Sequence, residues 1–236
     1  MAASSATAPP GIAVCAIGDI HGCLSQLDTL LERIDAMVDE THLQLVFLGD
    51  YVDRGADSAG VIDRLIGVEE RKPETVFLRG NHESMFLDFL DDPPSIAAVF
   101  LTNGGEETLR SYGCMIGRAR NSQALAEDAL ARIPDRHLAF LRATTYSVRF
   151  GDYFFCHAGV RPGVPLYKQS PEHLMWIRNR FLDSDEDFGA VVVHGHTPSP
   201  KPVIRPNRIG IDTGAVFGGP LTAVILEGEK RRFARV

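Results

Sequence analysis

Cysteine is scarce: four thiols in 236 residues, at Cys15, Cys23, Cys114 and Cys156, with no CxxC pair among them. Cys15 and Cys156 sit inside apolar runs, the setting of buried, reduced thiols. No apolar run approaches the roughly 20 residues that a helical membrane span requires. Positive charge is in deficit, 24 Lys and Arg against 31 Asp and Glu, for a formal net charge of -7. That balance argues against a nucleic-acid partner or an anionic membrane surface. Met1 to Pro10 has neither the basic segment nor the apolar segment of a secretory signal. Its Ala/Ser/Thr/Pro composition reads as a disordered tail over residues 1–11, and a cytoplasmic monomer is expected. An anionic substrate would have to be drawn by local positive charge, from bound cations and arginine.

What is present is an apolar framework, 44% of the residues, ample for a single domain over residues 12–236. Ile12–Ile17, Leu43–Leu48 and Thr75–Leu78 are short apolar runs of the kind buried on both faces of a sheet. Between them Leu24, Leu27, Leu30, Leu31, Ile34 and Val38 recur at helical spacing, with Ser25 as an N-cap. Val61, Ile62, Leu65 and Ile66 give a second helix, closed by Gly67. This β-α-β-α-β opening implies right-handed crossovers and a largely parallel sheet. From Glu83 to Ala143 the texture is helical, broken at Asp91–Pro94, Asn103–Gly105 and Ile133-Pro134. Strands return at Thr145–Phe150, Tyr153–Cys156, Ala190–Val193, Arg208–Ile211 and Leu221–Leu226, the first two joined by a Gly151-Asp152 turn. The fold class expected is α/β, two stacked mixed sheets flanked by helices.

The apolar runs end in polar clusters: Gly18-Asp19-Ile20-His21-Gly22, Gly49-Asp50-Tyr51-Val52-Asp53-Arg54-Gly55, Gly80-Asn81-His82-Glu83, Cys156-His157-Ala158-Gly159 and His194-Gly195-His196-Thr197. Asp19 and His21 are two apart in an extended segment and leave it on the same side, toward one ion. Asp50 supplies a carboxylate able to bridge two cations, Asn81 a neutral oxygen, and His157 and His196 imidazoles. Two carboxylates against two divalent ions leave a surplus of positive charge, which suits a phosphate dianion. Two ions about 3.5–4 Å apart can activate water for in-line attack on phosphorus. Thiolate-free oxygen and nitrogen ligands favour manganese or iron, with zinc possible. His82 directly follows Asn81 and is expected to point away from the ligand direction, toward the leaving group. Asp53 is expected to orient it and keep it protonated, a general acid pair. Arg54, with Arg178 or Arg180, can grip phosphate oxygens. In a helix Arg178 and Arg180 diverge by about 200°, and Arg178 is preferred.

These clusters, in this order, resemble the signature of the phosphoprotein-phosphatase branch of the calcineurin-like metallophosphoesterases, bacterial and bacteriophage members above all. The resemblance implies that Asp19, His21 and Asp50 hold one metal and Asp50, Asn81, His157 and His196 the other. It makes His82 and Asp53 the proton donor pair and Arg54 a phosphate clamp. The implied activity is hydrolysis of phosphoserine or phosphothreonine in proteins or peptides by direct attack of a dimetal-bound hydroxide. The alternative is a symmetrical dinucleoside-tetraphosphate hydrolase, or a broad phosphoesterase, of the same superfamily. His194 is expected beside the ligands rather than among them. His42, His137 and His173 read as ordinary surface or partly buried residues, and Asp183–Asp187 as a solvated loop.

Overall fold

A five-residue strand, β1 (Ala13–Ile17), lies at the centre of the first sheet with every residue buried. It runs parallel to β2 (Leu43–Phe47), which runs parallel to β3 (Val76–Phe77). On its other side β1 pairs antiparallel with β9 (Thr222–Glu227), itself in a hairpin with β10 (Lys230–Arg235). The order is β10-β9-β1-β2-β3. The second sheet contains β4 (Ser147–Phe150), β5 (Tyr153–Cys156), β6 (Val191–His194), β7 (Val203–Ile204) and β8 (Arg208–Gly210), ordered β4-β5-β6-β8-β7. Its three central strands are parallel and its two edge strands antiparallel. The computed structural model describes residues 6–39, 42–117 and 121–236.

Alternation along the strands builds three apolar layers. Val14 and Ala16 of β1 and Val46 of β2 face Tyr153, Phe155, Val193 and Ile209 of the other sheet. Cys15, Ile17, Leu45 and Phe47 point the opposite way, onto α1 (Leu24–Met37) and α2 (Ser58–Arg71). Phe154, Cys156 and Val192 leave the outer face of the second sheet and pack on Leu174 and Phe181, from α8 (Pro171–Trp176) and α9 (Asn179–Leu182). Strands covered on both faces read as continuous apolar runs. Removing a large ring such as Phe155 from between the sheets costs about 3–5 kcal/mol.

Helices α3 (Asn81–Asp91), α4 (Pro93–Phe100), α5 (Glu106–Ser111), α6 (Ser122–Arg132) and α7 (Asp135–Ala143) form the excursion between the sheets. Leu87, Phe89 and Leu90 are buried in its core, where Phe89 stacks on Phe100 at 4.7 Å. A kink in Leu101–Gly105, where Gly104 leaves helical geometry at φ 98° and ψ 13°, joins α4 to α5 at the Asn103-Gly104-Gly105 break. Among the described residues no helix is long and apolar enough to cross a membrane.

Several local expectations are corrected. Helix α1 starts one residue before Ser25, so Cys23 takes the cap position, and its side chain makes no capping bond to the helix. Helix α2 continues through Gly67 to Arg71, because Val68 extends the buried stripe and offsets the ~1 kcal/mol that an interior glycine costs. Its N-cap is Asp57, whose carboxylate accepts the Gly60 N–H at 2.8 Å. The described part of the tail, residues 6–11, makes contacts with the second sheet. Thr7 donates its N–H and hydroxyl to the Asp152 carboxylate at 3.0 and 2.9 Å, and Ala8 is buried. Residues 1–5 lie outside the described residues. His137 is buried, bridging the Tyr112 hydroxyl and the Asp63 carboxylate at 3.0 Å each. His42 is exposed and His173 half-buried, and all four cysteines are free thiols.

Candidate metal centre and phosphate site

Each polar cluster sits where a strand hands its chain onward: Asp19 and His21 after β1, Asp50 after β2, Asn81 after β3, His157 after β5, His196 after β6. Parallel strands deliver all these ends to one side, where open α/β sheets gather ligands. Glycine allows the loops to close in. A Cβ on Gly195 would lie 1.9 Å from Asp19 Oδ1, and one on Gly80 would lie 2.1 Å from Asp50 Oδ1. Among the described residues the non-glycine positions with positive φ are His21 (46°), Asp50 (55°), Asp53 (72°), Arg54 (68°) and His196 (65°). All five belong to this site, the usual place for backbone held in sparsely populated conformations.

Asp50 is central. Its Oδ2 lies 3.4 Å from His21 Nε2 and its Oδ1 3.3 Å from His157 Nε2. His157 Nε2 is in turn 3.1 Å from both Asn81 Oδ1 and His196 Nδ1. Two triads result, His21–Asp50–His82 and Asp50–His157–His196, the potential ligand atoms of each within 4.8 Å of one another. Asp50 is shared, as a bridging carboxylate must be. Asp19 belongs to neither triad; it joins the second through its carboxylate, which accepts the His196 N–H at 3.0 Å.

The polar atoms are arranged for cations. His21 Nδ1 lies 2.7 Å from the Val52 carbonyl oxygen and His157 Nδ1 3.0 Å from that of Leu48. Each Nδ1–H therefore donates to a carbonyl, which leaves the Nε2 lone pair facing inward. Around His157 Nε2 gather Asn81 Oδ1, Asp50 Oδ1 and His196 Nδ1, acceptors that a proton on Nε2 or a cation in its place would satisfy. His196 Nε2 is buried without a hydrogen-bond partner, and the Arg54 guanidinium, itself a cation, lies 2.6 Å from His21 Nε2. These residues fit a pair of divalent ions.

Buried charge sets the electrostatics. Burial, reinforced by the nearby Asp212 carboxylate, raises Asp19 well above the ordinary carboxylate range. Burial would do the same to Asp50, but His157 and His82 outweigh it and hold Asp50 well below that range. Burial opposes a charge on His157, yet Asp50 and Asp19 lift it to about 9. Burial and the charge of His157 push His196 down to about 2.

His82 Nδ1 lies 2.6 Å from Asp53 Oδ2, the contact expected of a donor pair. Its Nε2 is 3.9 Å from Asp50 Oδ2, so the ring faces into the cluster rather than away from it. The charge state differs from expectation. Burial lowers His82 to about 3, with His21 and Arg54 adding repulsion, while burial raises Asp53 to about 8. A charge-separated pair is disfavoured where both partners are out of water. As a neutral pair the two groups still carry the same two protons: Asp53 donates to Nδ1, and Nε2 keeps a hydrogen to give away.

Arg54, half-buried, reaches from His21 to the ring of Phe217, 5.6 Å from its centroid. Arg178 is exposed and lies at the break between α8 and α9, with φ -128° and ψ -113°. The expected helical divergence of Arg178 and Arg180 therefore does not apply; the helix stops at Trp176, and Arg178 is close enough for its charge to depress His196. Trp176 and Phe217, 42% and 65% exposed, flank the centre, the indole 6.5 Å from the His196 ring. His194 packs edge-on against Phe181 at 5.1 Å, outside both triads.

Two buried carboxylates at the site were given no role by sequence reasoning. Glu83 accepts backbone N–H groups of Tyr51 (2.7 Å), Asp50 (2.8 Å) and Gly80 (2.9 Å). Its position three residues after the N-cap Gly80 is that of the glutamate half of a capping box, the other half being absent because glycine has no side chain. Asp212, whose Oδ1 accepts the Gly214 N–H at 3.0 Å, adds charge behind Asp19. No spacing rule points to it.

The fold and these donors define a metallophosphoesterase. Residues 12–227 match the calcineurin-like phosphoesterase family model, and the chain belongs to that family. It is 32% identical to serine/threonine-protein phosphatase 1 of Salmonella typhimurium, over 89% of each chain. It is 28% identical to the asymmetrical bis(5'-nucleosyl)-tetraphosphatase PrpE of Anoxybacillus flavithermus, over 88% of each. A crystal structure provisionally named as a diadenosine tetraphosphatase superposes with a TM-score of 0.66 at 23% identity, covering 98% of both chains. A protein serine/threonine phosphatase from Saccharomyces cerevisiae superposes with a TM-score of 0.61 at 14% identity, over 96% of this chain and 80% of that one.

Proposed function

We propose that the chain is a phosphoprotein phosphatase that removes phosphate from serine or threonine in proteins or peptides, acting as a monomer. The observation that carries the reading is the His82–Asp53 contact of 2.6 Å beside two triads that share Asp50. His21, Asp50, Asn81, His157 and His196, with Asp19 behind them, would hold two divalent ions, manganese by preference and iron or zinc otherwise. Such ions supply Lewis acidity, activating water and polarising the phosphoryl oxygens.

The protein groups do the rest. Arg54 and Arg178 present guanidinium forks to the phosphoryl oxygens and orient phosphorus for in-line displacement. His82 gives its Nε2 proton to the departing alkoxide while the proton between Asp53 Oδ2 and Nδ1 shifts onto the ring. No covalent phosphoenzyme forms. Similarity to the Salmonella serine/threonine phosphatase at 32% identity supports a phosphoprotein substrate.

A second reading, hydrolysis of dinucleoside tetraphosphates, is favoured by one observation: Trp176 and Phe217 flank the centre with exposed faces. Aromatic faces stack nucleobases, worth about 1–3 kcal/mol per base. The PrpE relatives named for that chemistry are of the asymmetrical type. A phosphate-release assay with manganese, comparing phosphoserine peptides with diadenosine tetraphosphate at matched concentrations, separates the two. Faster turnover of the peptide is expected; preference for the dinucleotide overturns the first reading.

A further inference from the structure

The geometry points to Thr108 as a positioning residue for the proton donor pair, a role that rests on the reading of His82 as general acid. Thr108 lies on α5, fifty-five positions along the chain from Asp53, and is fully buried. Its hydroxyl donates to Asp53 Oδ1 at 2.6 Å, and its oxygen accepts the Asp53 N–H at 2.8 Å. One side chain thus holds both the carboxylate and the amide of the same residue. Ser58, the first residue of α2, completes the arrangement. Its Oγ lies 3.0 Å from Thr108 Oγ1 and 3.1 Å from the Asp53 nitrogen.

The directions of these bonds follow from the proton count. The one Thr108 proton goes to Asp53, which has no hydrogen to offer from Oδ1. The Ser58 hydroxyl must then donate to Thr108, and hydrogen bonds chained in one sense reinforce each other. With Oδ1 committed, only Oδ2 is left to face His82 Nδ1. Asp53 cannot turn its carboxylate without breaking a bond, so the imidazole is held in one orientation. The clamp also secures a backbone that non-glycine residues rarely adopt, φ 72° at Asp53 and 68° at Arg54. The same segment grips Arg54: the carbonyl of Gly104 accepts its N–H at 3.0 Å, and a Cβ at Gly104 would lie 2.5 Å from that nitrogen. The excursion is therefore joined to the site at the proton donor's partner and at the phosphate arginine.

A general acid matters most when the leaving group is poor. Thr108→Val, Thr108→Ser, Ser58→Ala and His82→Asn should be compared on phenyl phosphate and p-nitrophenyl phosphate with manganese. T108V is expected to lower kcat on phenyl phosphate roughly 10–100-fold, the usual cost of removing an orienting partner. On p-nitrophenyl phosphate, which leaves without a proton, the loss should be small, with KM for both esters unchanged. T108S should restore the wild-type ratio, and S58A should show the same selectivity in weaker form. Equal losses on both esters in T108V, or in S58A should T108V fail to fold, overturn the assignment. If H82N also loses both esters equally, the general-acid reading falls first and the role of Thr108 with it. If H82N is selective and T108V is not, only the role of Thr108 falls.

Discussion

The two carboxylate oxygens of Glu83 divide four backbone amides between them. Oε2 accepts from Asp50 and Gly80, and Oε1 from Tyr51 and, at 3.3 Å, Val52. The loop that presents Asp50 is thus tied to the first turn of α3, which carries Asn81 and His82. Glu83→Gln would turn an amide NH2 toward donors and leave buried N–H groups unpaired, at about 1–3 kcal/mol. The variant should bind manganese roughly 10–100-fold more weakly, as measured by calorimetric titration, with thermal unfolding also shifted downward. Unchanged metal affinity would remove Glu83 from the support of the centre.

Asp50→Asn and His82→Asn should separate metal binding from proton transfer. Asp50 is common to both triads, so D50N should weaken binding of both ions and abolish turnover. H82N should keep its metals, assayed by elemental analysis after gel filtration, and lose about 10²–10⁴ in kcat on poor leaving groups.

The donor pair predicts the alkaline limb of the activity profile. Asp53 is raised to about 8 by burial, so the proton shared with His82 is present below that pH and lost above it. Turnover should therefore fall as pH rises through about 8, and at a lower pH when divalent cations sit close by, since they favour the carboxylate. The kcat profile should lose that limb in H82N.

Phe217→Ala and Trp176→Ala test the dinucleotide alternative. Loss of a base-stacking face should raise KM for diadenosine tetraphosphate by about 5–150-fold, equivalent to 1–3 kcal/mol, and leave phosphopeptide kinetics nearly unchanged. Equal effects on both substrates would mean that the aromatics support the arginines instead, as the Arg54–Phe217 contact at 5.6 Å allows.

Much of the architecture was legible because buried strands advertise themselves. The opening β-α-β-α-β pattern, the hairpin at Gly151-Asp152 and two helix-flanked sheets all have apolar runs or turn residues behind them. Strand β7 has only two residues and leaves no periodic trace. The binding of Thr7 to Asp152 joins positions 145 apart, and nothing local in the composition of the tail announces it. At the site, residues at strand ends were readable because glycine and ligand types cluster there. Thr108 was not, since a threonine in an exposed-looking helix gives no sign of a partner fifty-five residues away. The charge of His82 shows a related limit: neighbouring charge can be inferred from spacing, but the burial of both partners, which lowers His82 and raises Asp53, cannot.

The left-handed backbone at His21, Asp50, Asp53, Arg54 and His196 sets fold stability against chemistry. At each of these positions glycine would relieve the steric conflict of a Cβ and keep the loop path, yet every such replacement deletes a group to which the proposed mechanism gives a part. Random mutagenesis selected for heat resistance alone would be drawn toward these sites and yield robust, inert proteins. Selection that also demands turnover would have to find its gains elsewhere, in the helical excursion and the outer faces of the sheets.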